Sequence, residues 1–179
     1  MKHIFDLDNT LVYTDEANAC AYNAALEKEN LKPLRAETRI TKETVLKAYP
    51  DLTQTQMLRI IANKKALYPV HKTFLNKRLL RYAKEQGKDN CILWSCGDPD
   101  RIFSILDYHR MQETLSQVFF SKKNDVWMEL GELMERYMLL PEDVIVYEDT
   151  DSYIKTLREH GIAVVDVKMD LVKIISLQE

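Results

Sequence analysis

The sequence predicts an α/β protein with a Rossmann-like parallel sheet core, helices on both faces of the sheet, and a small α-helical cap inserted after the first strand. Short apolar runs alternate with helical patterns along most of the chain, as is typical of a parallel sheet that helices cover on both sides. One long stretch after the first run carries helical patterns alone. Polar residues rich in oxygen follow several of the runs, which suggests a ligand site at one edge of the sheet.

Five apolar runs are predicted as strands. They cover residues 4–7, 91–94, 118–120, 144–147 and 162–167. Their continuous apolar character is typical of strands that are buried on both faces. Helical patterns cover 124–138 and 151–160, and Gly161 is placed to end the second of these helices.

Residues 15–70 are predicted to form the helical cap, and residues 1–14 with 71–179 the α/β core domain. No strand is expected between residues 15 and 83, where helical patterns cover 16–28, 41–48, 53–67 and 73–83. Thr53 and Gln56 have the spacing of a capping box at the start of the third of these helices. Three prolines separate the predicted helices.

The composition excludes several classes of protein. A chain of 179 residues with 46% hydrophobic and 30% charged residues is typical of an ordinary globular protein. Its net charge of −3 gives no reason to expect nucleic acid as a partner. No apolar stretch reaches the roughly 20 residues of a membrane-spanning helix, and the first residues lack the layout of a signal peptide. We therefore expect a cytoplasmic protein that does not bind membranes.

The three cysteines are Cys20, Cys91 and Cys96. They form no CxxC pair that would indicate zinc or redox chemistry, so buried, reduced thiols are expected. Cys96 lies five positions before Arg101, one fewer than in the cysteine phosphatase signature. It is therefore interpreted as a small packing residue rather than a nucleophile.

Polar residues follow four of the predicted strands and are expected to converge, because ligands bind beyond the carboxyl ends of parallel strands. In chain order they include Asp6, Asp8, Asn9, Thr10, Ser95, Lys122, Lys123, Glu148 and Asp149. Carboxylates suit Mg²⁺, which completes its coordination with water and phosphate oxygens. The sequence thus predicts a site for a metal and a phosphate.

Residue chemistry suggests a role for each member of this set. Asp6 is predicted to attack phosphorus, and Asp8 to protonate the leaving oxygen and then deprotonate water. Phosphate is predicted to be bound by Thr10, Ser95 and Lys123. The metal, Mg²⁺, is predicted to be held by Asp6, Asp8, Glu148 and Asp149.

The motif "DLDNTL" at 6–11 is followed in order by a strand ending in Ser95, a lysine, and "EDT" at 148–150. This order resembles the haloacid dehalogenase superfamily over nearly the whole chain. "EDT" is similar to the "EDS" of its phosphoglycolate phosphatase and β-phosphoglucomutase branch, and the helical insert resembles that superfamily's cap. Its dehalogenase and phosphonatase branches lack an acid at the position of Asp8, so the resemblance implies chemistry on phosphate esters.

Three departures from this pattern stand out. Asn9 replaces a frequent glycine, which asparagine can do because it tolerates left-handed backbone. The lysine motif reads "KKND" rather than Lys-Pro, so Lys122 or Lys123 is the phosphate ligand, with Lys123 favoured. Tyr153 occupies a position where glycine is frequent.

These features favour a Mg²⁺-dependent phosphatase that hydrolyses a small phosphorylated metabolite through an aspartyl-phosphate intermediate. One alternative is a sugar phosphomutase of the β-phosphoglucomutase type, for which Arg35, Arg39 and Lys42 of the cap are basic candidates. Another is a non-catalytic, phosphate-binding regulatory protein. The substrate and the choice between monomer and dimer stay open.

Overall fold

The computed structural model describes residues 1–35 and 39–169. Internal contacts divide the chain into two compact units, Met1–Val12 with Leu75–Glu179, and Tyr13–Phe74. The predicted cap, 15–70, differs from the second unit by two residues at its start and four at its end.

Seven strands are found among the described residues. They are β1 (Lys2–Phe5), β2 (Val12–Tyr13), β3 (Phe74–Leu75), β4 (Cys91–Ser95), β5 (Gln117–Phe120), β6 (Val144–Glu148) and β7 (Ala163–Asp166). Five of them form one parallel sheet in the order β5-β4-β1-β6-β7, with Ile4 of β1 between Ile92 of β4 and Val146 of β6. The predicted Rossmann-like parallel sheet is confirmed. The first strand lies two residues earlier than expected.

Seven α-helices accompany these strands in the described residues. They are α1 (Asp15–Lys28), α2 (Lys42–Ala48), α3 (Gln54–Ala66), α4 (Lys77–Gln86), α5 (Pro99–Tyr108), α6 (Val126–Arg136) and α7 (Asp151–Glu159). Single 3₁₀ turns occupy Val70–Lys72, Lys88–Asn90 and Pro141–Asp143. Membrane-spanning length and apolarity are found in none of the helices described.

The start predicted for α4, at residue 73, is wrong, as is the expectation of no strand before residue 83. Residues 74 and 75 are extended in β3, and the helix begins at Lys77. The Asn76 side chain caps it by accepting a hydrogen bond from the Leu79 N–H, while the Asn76 N–H donates to the Leu11 carbonyl at 2.9 Å. This cap and this backbone bond outweigh the helical pattern of the preceding residues.

Helices cover both faces of the sheet. On one face, Ile4 and Trp94 of the strands are buried with Leu130 and Leu133 of α6. On the other face, the rings of His3 and Tyr82 of α4 meet edge to face, with their centres 5.7 Å apart. They belong to an aromatic cluster that includes Phe5 and Tyr147. Alternate residues of β1 thus enter two different cores, as a strand buried on both faces requires.

The second unit has a core of its own, in which Tyr22 and Leu26 of α1 pack with Val45 of α2 and Ile60 of α3. The predicted capping box is confirmed, since the Thr53 side chain accepts from the Gln56 N–H and the Gln56 side chain from the Thr53 N–H. A second, unpredicted box joins Thr41 and Thr44 at the start of α2.

The expectation that the cysteines are buried holds only for Cys91. Cys20 is half-buried, and Cys96 is exposed. The prediction of Cys96 as a packing residue is wrong because β4 ends at Ser95, so that Cys96 lies in the loop beyond the sheet rather than among core side chains.

Candidate active site

The two aspartates of the first motif lie in a tight loop directly after β1. The loop is closed by hydrogen bonds from the Asn9 N–H to the Val12 carbonyl at 2.7 Å and from the Val12 N–H to the Leu7 carbonyl at 3.0 Å. Asn9 has φ = +61°, the left-handed conformation that asparagine tolerates better than most residues. This turn leaves the carboxylates of Asp6 and Asp8 almost fully buried at the edge of the sheet.

Lys123 joins the first loop to the end of β6. Its Nζ lies 2.8 Å from Asp6 Oδ1 and 2.8 Å from Glu148 Oε2, and all three side chains are buried. Lys122 is exposed. Of the two lysines left open by the sequence, Lys123 is therefore the one that reaches the predicted site.

The loop that carries Lys123 is held in place by a carboxylate of α6. Glu129 accepts hydrogen bonds from the backbone N–H groups of Lys123 at 2.6 Å, Asn124 at 2.8 Å and Asp125 at 3.2 Å. Lys123 has φ = +51°, a conformation that non-glycine residues seldom adopt. These bonds hold the loop in that conformation and direct the Lys123 side chain into the site.

Two aromatic rings complete the surroundings of Lys123. Its Nζ lies 4.8 Å from the centre of the Trp94 ring and 5.6 Å from that of Tyr153. Both distances allow cation–π attraction. Tyr153, found where the resembled superfamily often has glycine, thus forms part of the wall around the lysine.

Three carboxylates form a cluster that fits a divalent metal. One oxygen from each of Asp6, Glu148 and Asp149 lies within 4.8 Å of the others. Glu148 is fixed by hydrogen bonds from the N–H groups of Asp149 and Thr150, both 3.0 Å from Oε1. An all-oxygen donor set of this kind suits Mg²⁺. Asp8, also predicted to hold metal, is not in this group.

The carboxylate of Asp8 is bound instead by Arg101, which the sequence analysis did not predict as a site residue. Arg101 donates from Nη1 to Asp8 Oδ1 at 2.8 Å and from Nη2 to Asp8 Oδ2 at 2.6 Å. Arg101 lies in the first turn of α5, after β4. The sequence signal that could have indicated Arg101 was its position shortly after the end of a predicted strand.

The two predicted hydroxyl ligands differ in their surroundings. Ser95 is buried at the end of β4, and its Oγ accepts a hydrogen bond from the Gly97 N–H at 3.1 Å. Thr10 is fully buried, and its Oγ1 has no hydrogen-bond partner among the residues that the structure describes. A buried hydroxyl without a partner is costly, and a bound phosphoryl oxygen would satisfy it.

Burial and charge act in opposite directions on the ion pair at the centre of the site. Burial raises the pKa of Asp6; the ammonium of Lys123 opposes this rise, while the carboxylates of Glu148 and Asp8 add to it. Burial also acts to lower the pKa of Lys123, yet Asp6 and Glu148 raise it overall. The 2.8 Å contacts therefore keep the proton on Lys123.

The site as a whole has more negative than positive groups. Its charged side chains are Asp6, Asp8, Glu148, Asp149, Arg101 and Lys123. When all are ionised, four carboxylates face two cations. A divalent cation would balance that excess, which is a second way in which the residues fit Mg²⁺.

Solved structures of other proteins share the fold of this chain. No protein-family model and no curated protein matches this chain. Solved structures do match. A predicted phosphoglycolate phosphatase from Haemophilus somnus aligns with a TM-score of 0.74 and 18% identity, over 91% of this chain and 83% of that one.

Two further structures give the same result. A haloacid dehalogenase-like hydrolase family protein from Streptococcus pneumoniae aligns with a TM-score of 0.73 and 16% identity, over 91% of this chain and 82% of that one. A putative haloacid dehalogenase-like hydrolase from Bacteroides fragilis aligns with a TM-score of 0.69 and 17% identity, over 90% of this chain and 84% of that one. At these identities the likeness is one of fold.

Proposed function

We propose that this chain, which has the haloacid dehalogenase fold, is a Mg²⁺-dependent phosphatase that hydrolyses a small phosphorylated metabolite through an aspartyl phosphate on Asp6. The observation that carries the proposal is the position of Asp6. It lies at the carboxyl end of the central strand β1, where Lys123 approaches it to 2.8 Å and Glu148 and Asp149 complete a carboxylate cluster.

The metal is assigned to Asp6, Glu148 and Asp149. Bound there, Mg²⁺ would neutralise phosphoryl oxygens and orient the phosphate for in-line attack. The ammonium group of Lys123 would also neutralise phosphoryl oxygens, because it is held in the site between Asp6 and Glu148. Thr10 and Ser95 are assigned to phosphate through their hydroxyls.

The reaction has two steps in which atoms balance. The cycle starts with a proton on the Asp8 carboxyl group. An oxygen of Asp6 attacks phosphorus, the bond from phosphorus to the leaving oxygen breaks, and Asp8 gives that oxygen its proton. Water then attacks the phosphorus of the aspartyl phosphate, Asp8 accepts the proton of the water, and the bond from phosphorus to Asp6 breaks. Inorganic phosphate leaves, and both aspartates return to their starting states.

The experiment that tests the proposal is phosphate release from a panel of phosphorylated metabolites and p-nitrophenyl phosphate, with Mg²⁺ and with a chelator. The Asp6→Asn variant is the critical comparison, because it removes the nucleophile while keeping an oxygen that accepts from Lys123. Asp89→Asn, at an exposed position, is the matched control. We expect release that requires both Mg²⁺ and Asp6 and is unchanged in the control.

The other two functions considered predict different results. A phosphomutase would isomerise glucose 1-phosphates without free phosphate, and a phosphate-binding regulator would bind Mg²⁺ and release no phosphate from any substrate. Turnover that survives Asp6→Asn would contradict the assignment of the nucleophile.

A further inference from the structure

The pair between Arg101 and Asp8 is a largely buried, two-point contact within the first compact unit. The nitrogens lie 2.8 and 2.6 Å from the two carboxylate oxygens, and the side chains are only 12% and 9% exposed. Parallel bonds of this kind fix the plane and position of a carboxylate, and they are stronger than bonds between neutral groups. A surface ion pair would not have this effect.

The loop before α5 leaves space for the Arg101 guanidinium beside Gly97. The helix begins at Pro99, and the side chain of its cap, Asp98, accepts a hydrogen bond from the Arg101 N–H at 3.4 Å. At Gly97, a Cβ atom would lie 2.3 Å from Arg101 Nη2 and 2.7 Å from Ile102 Cδ1. Only glycine therefore allows Arg101 to lie where it does.

The proposed reaction makes the position of the Asp8 carboxylate important at both steps. The same oxygen atoms must reach the leaving group in one step and a water molecule in the next. An aspartate has two rotatable side-chain bonds, and a misplacement of about 1 Å can cost about 100-fold in rate. A lysine at position 101 would offer a point charge instead of a planar fork, so it would restrain the carboxylate less.

We propose that Arg101 is a positioning residue: it holds the carboxylate of Asp8 in the orientation from which Asp8 takes the proton of the water that hydrolyses the aspartyl phosphate. The inference rests on the proposed function and deepens it. Arg101 acts through Asp8, and Gly97 provides the space for it.

The two chemical steps can be separated with p-nitrophenyl phosphate. Its leaving group departs without a proton from Asp8, so kcat/KM reports formation of the aspartyl phosphate. Where hydrolysis of the aspartyl phosphate is the slower step, kcat reports that hydrolysis. Loss of the positioning residue should slow the second step alone. p-Nitrophenol would then appear in a rapid burst equal to the enzyme concentration, followed by a slow steady rate.

The variants are Arg101→Met and Arg101→Lys. The matched control is Arg110→Met, at an exposed arginine two residues after the end of α5. For Arg101→Met we expect kcat to fall about 100-fold. We expect kcat/KM to change by less than about threefold, with a visible burst. Arg101→Lys should lie between Arg101→Met and the unchanged protein, and Arg110→Met should match the unchanged protein.

Gly97→Ala provides a second route if Arg101→Met fails to fold. It keeps every charged group and displaces the Arg101 guanidinium together with the end of the Ile102 side chain, so it should lower kcat in the same way and also give a burst. Folding of each variant is checked by circular dichroism and urea unfolding before the kinetics are compared.

Two results would overturn the inference. One is a fall in kcat/KM at constant kcat, which would mean that Arg101 contacts the substrate. The other is folded Arg101→Met with unchanged kcat and no burst. Failure of the proposed function is separate, since it would show as no turnover in the unchanged protein or as full turnover in Asp6→Asn.

Discussion

Replacing Lys123 with methionine removes a cation that contacts both Asp6 and Glu148, while the new side chain keeps much of the stem beside Trp94. The lysine and Glu148 side chains are 1% and 2% exposed, and both ion pairs are 2.8 Å long. Removing one partner of a buried ion pair typically costs about 3–5 kcal/mol, because the charge left behind lacks both water and a counter-ion. We expect Lys123→Met to lower the free energy of unfolding by about that amount in the presence of a chelator.

The measurement is urea unfolding of the unchanged protein, Lys123→Met and Lys122→Met, each with a chelator and with Mg²⁺. Lys122 is exposed, so its substitution should change the free energy of unfolding by no more than about 0.5 kcal/mol. Added Mg²⁺ should restore part of the stability of Lys123→Met, because a cation in the carboxylate cluster replaces the missing charge. Equal losses in the two variants would refute the reasoning, since the buried contacts of Lys123 would then carry no special energy.

Three further predictions follow from the site. Asp149→Asn should raise the Mg²⁺ concentration that gives half-maximal activity by about tenfold or more. The control, Asp151→Asn at an exposed position, should not change that concentration. An equal Mg²⁺ requirement in both variants would place the metal elsewhere. Thr10→Val should leave stability unchanged or higher in urea unfolding, because no described residue bonds to the buried hydroxyl. The same change should lower kcat/KM about 10-fold or more through the lost bond to phosphate. Cys96→Ser should retain the activity of the unchanged protein in a phosphate-release assay, and its inactivation would instead indicate a thiol nucleophile.

The sheet was predictable from the sequence because buried parallel strands are continuous apolar runs, and each of the five runs overlaps a strand. The polar residues after those runs could be expected to converge for the same topological reason, and Lys123 and Glu148 do meet Asp6. Arg101 could not be found in this way, since its partner Asp8 lies 93 positions earlier and an arginine in the first turn of a helix is ordinary. The sequence favoured Lys123 over Lys122, and Lys123 is the lysine that contacts Asp6, but its left-handed backbone conformation is not encoded in the side-chain pattern.

The start of α4 is a place where the sequence pattern predicted too much helix. Helical spacing extends back to residue 73, and local propensity gave no reason to stop there. The extended residues of β3 and the bond from the Asn76 N–H to the Leu11 carbonyl settle the boundary, and both depend on residues more than 60 positions apart in the chain. The pattern of side chains in one segment carries no information about a hydrogen-bond partner so far away in the sequence.

The carboxylate of Glu129 gives the lysine loop an acid sensitivity that a Lys-Pro sequence would lack. A proline ring fixes backbone by covalent geometry at any pH, whereas Glu129 accepts its three N–H groups as an anion. Partial burial acts to raise the pKa of Glu129, but the Ser121 hydroxyl and the three N–H groups lower it overall. The stabilisation is therefore present above the ordinary pKa of a glutamate and is lost as the pH falls through the lowered value. In acid the amide protons of Lys123, Asn124 and Asp125 should lose their protection from solvent exchange together, ahead of those in the strands.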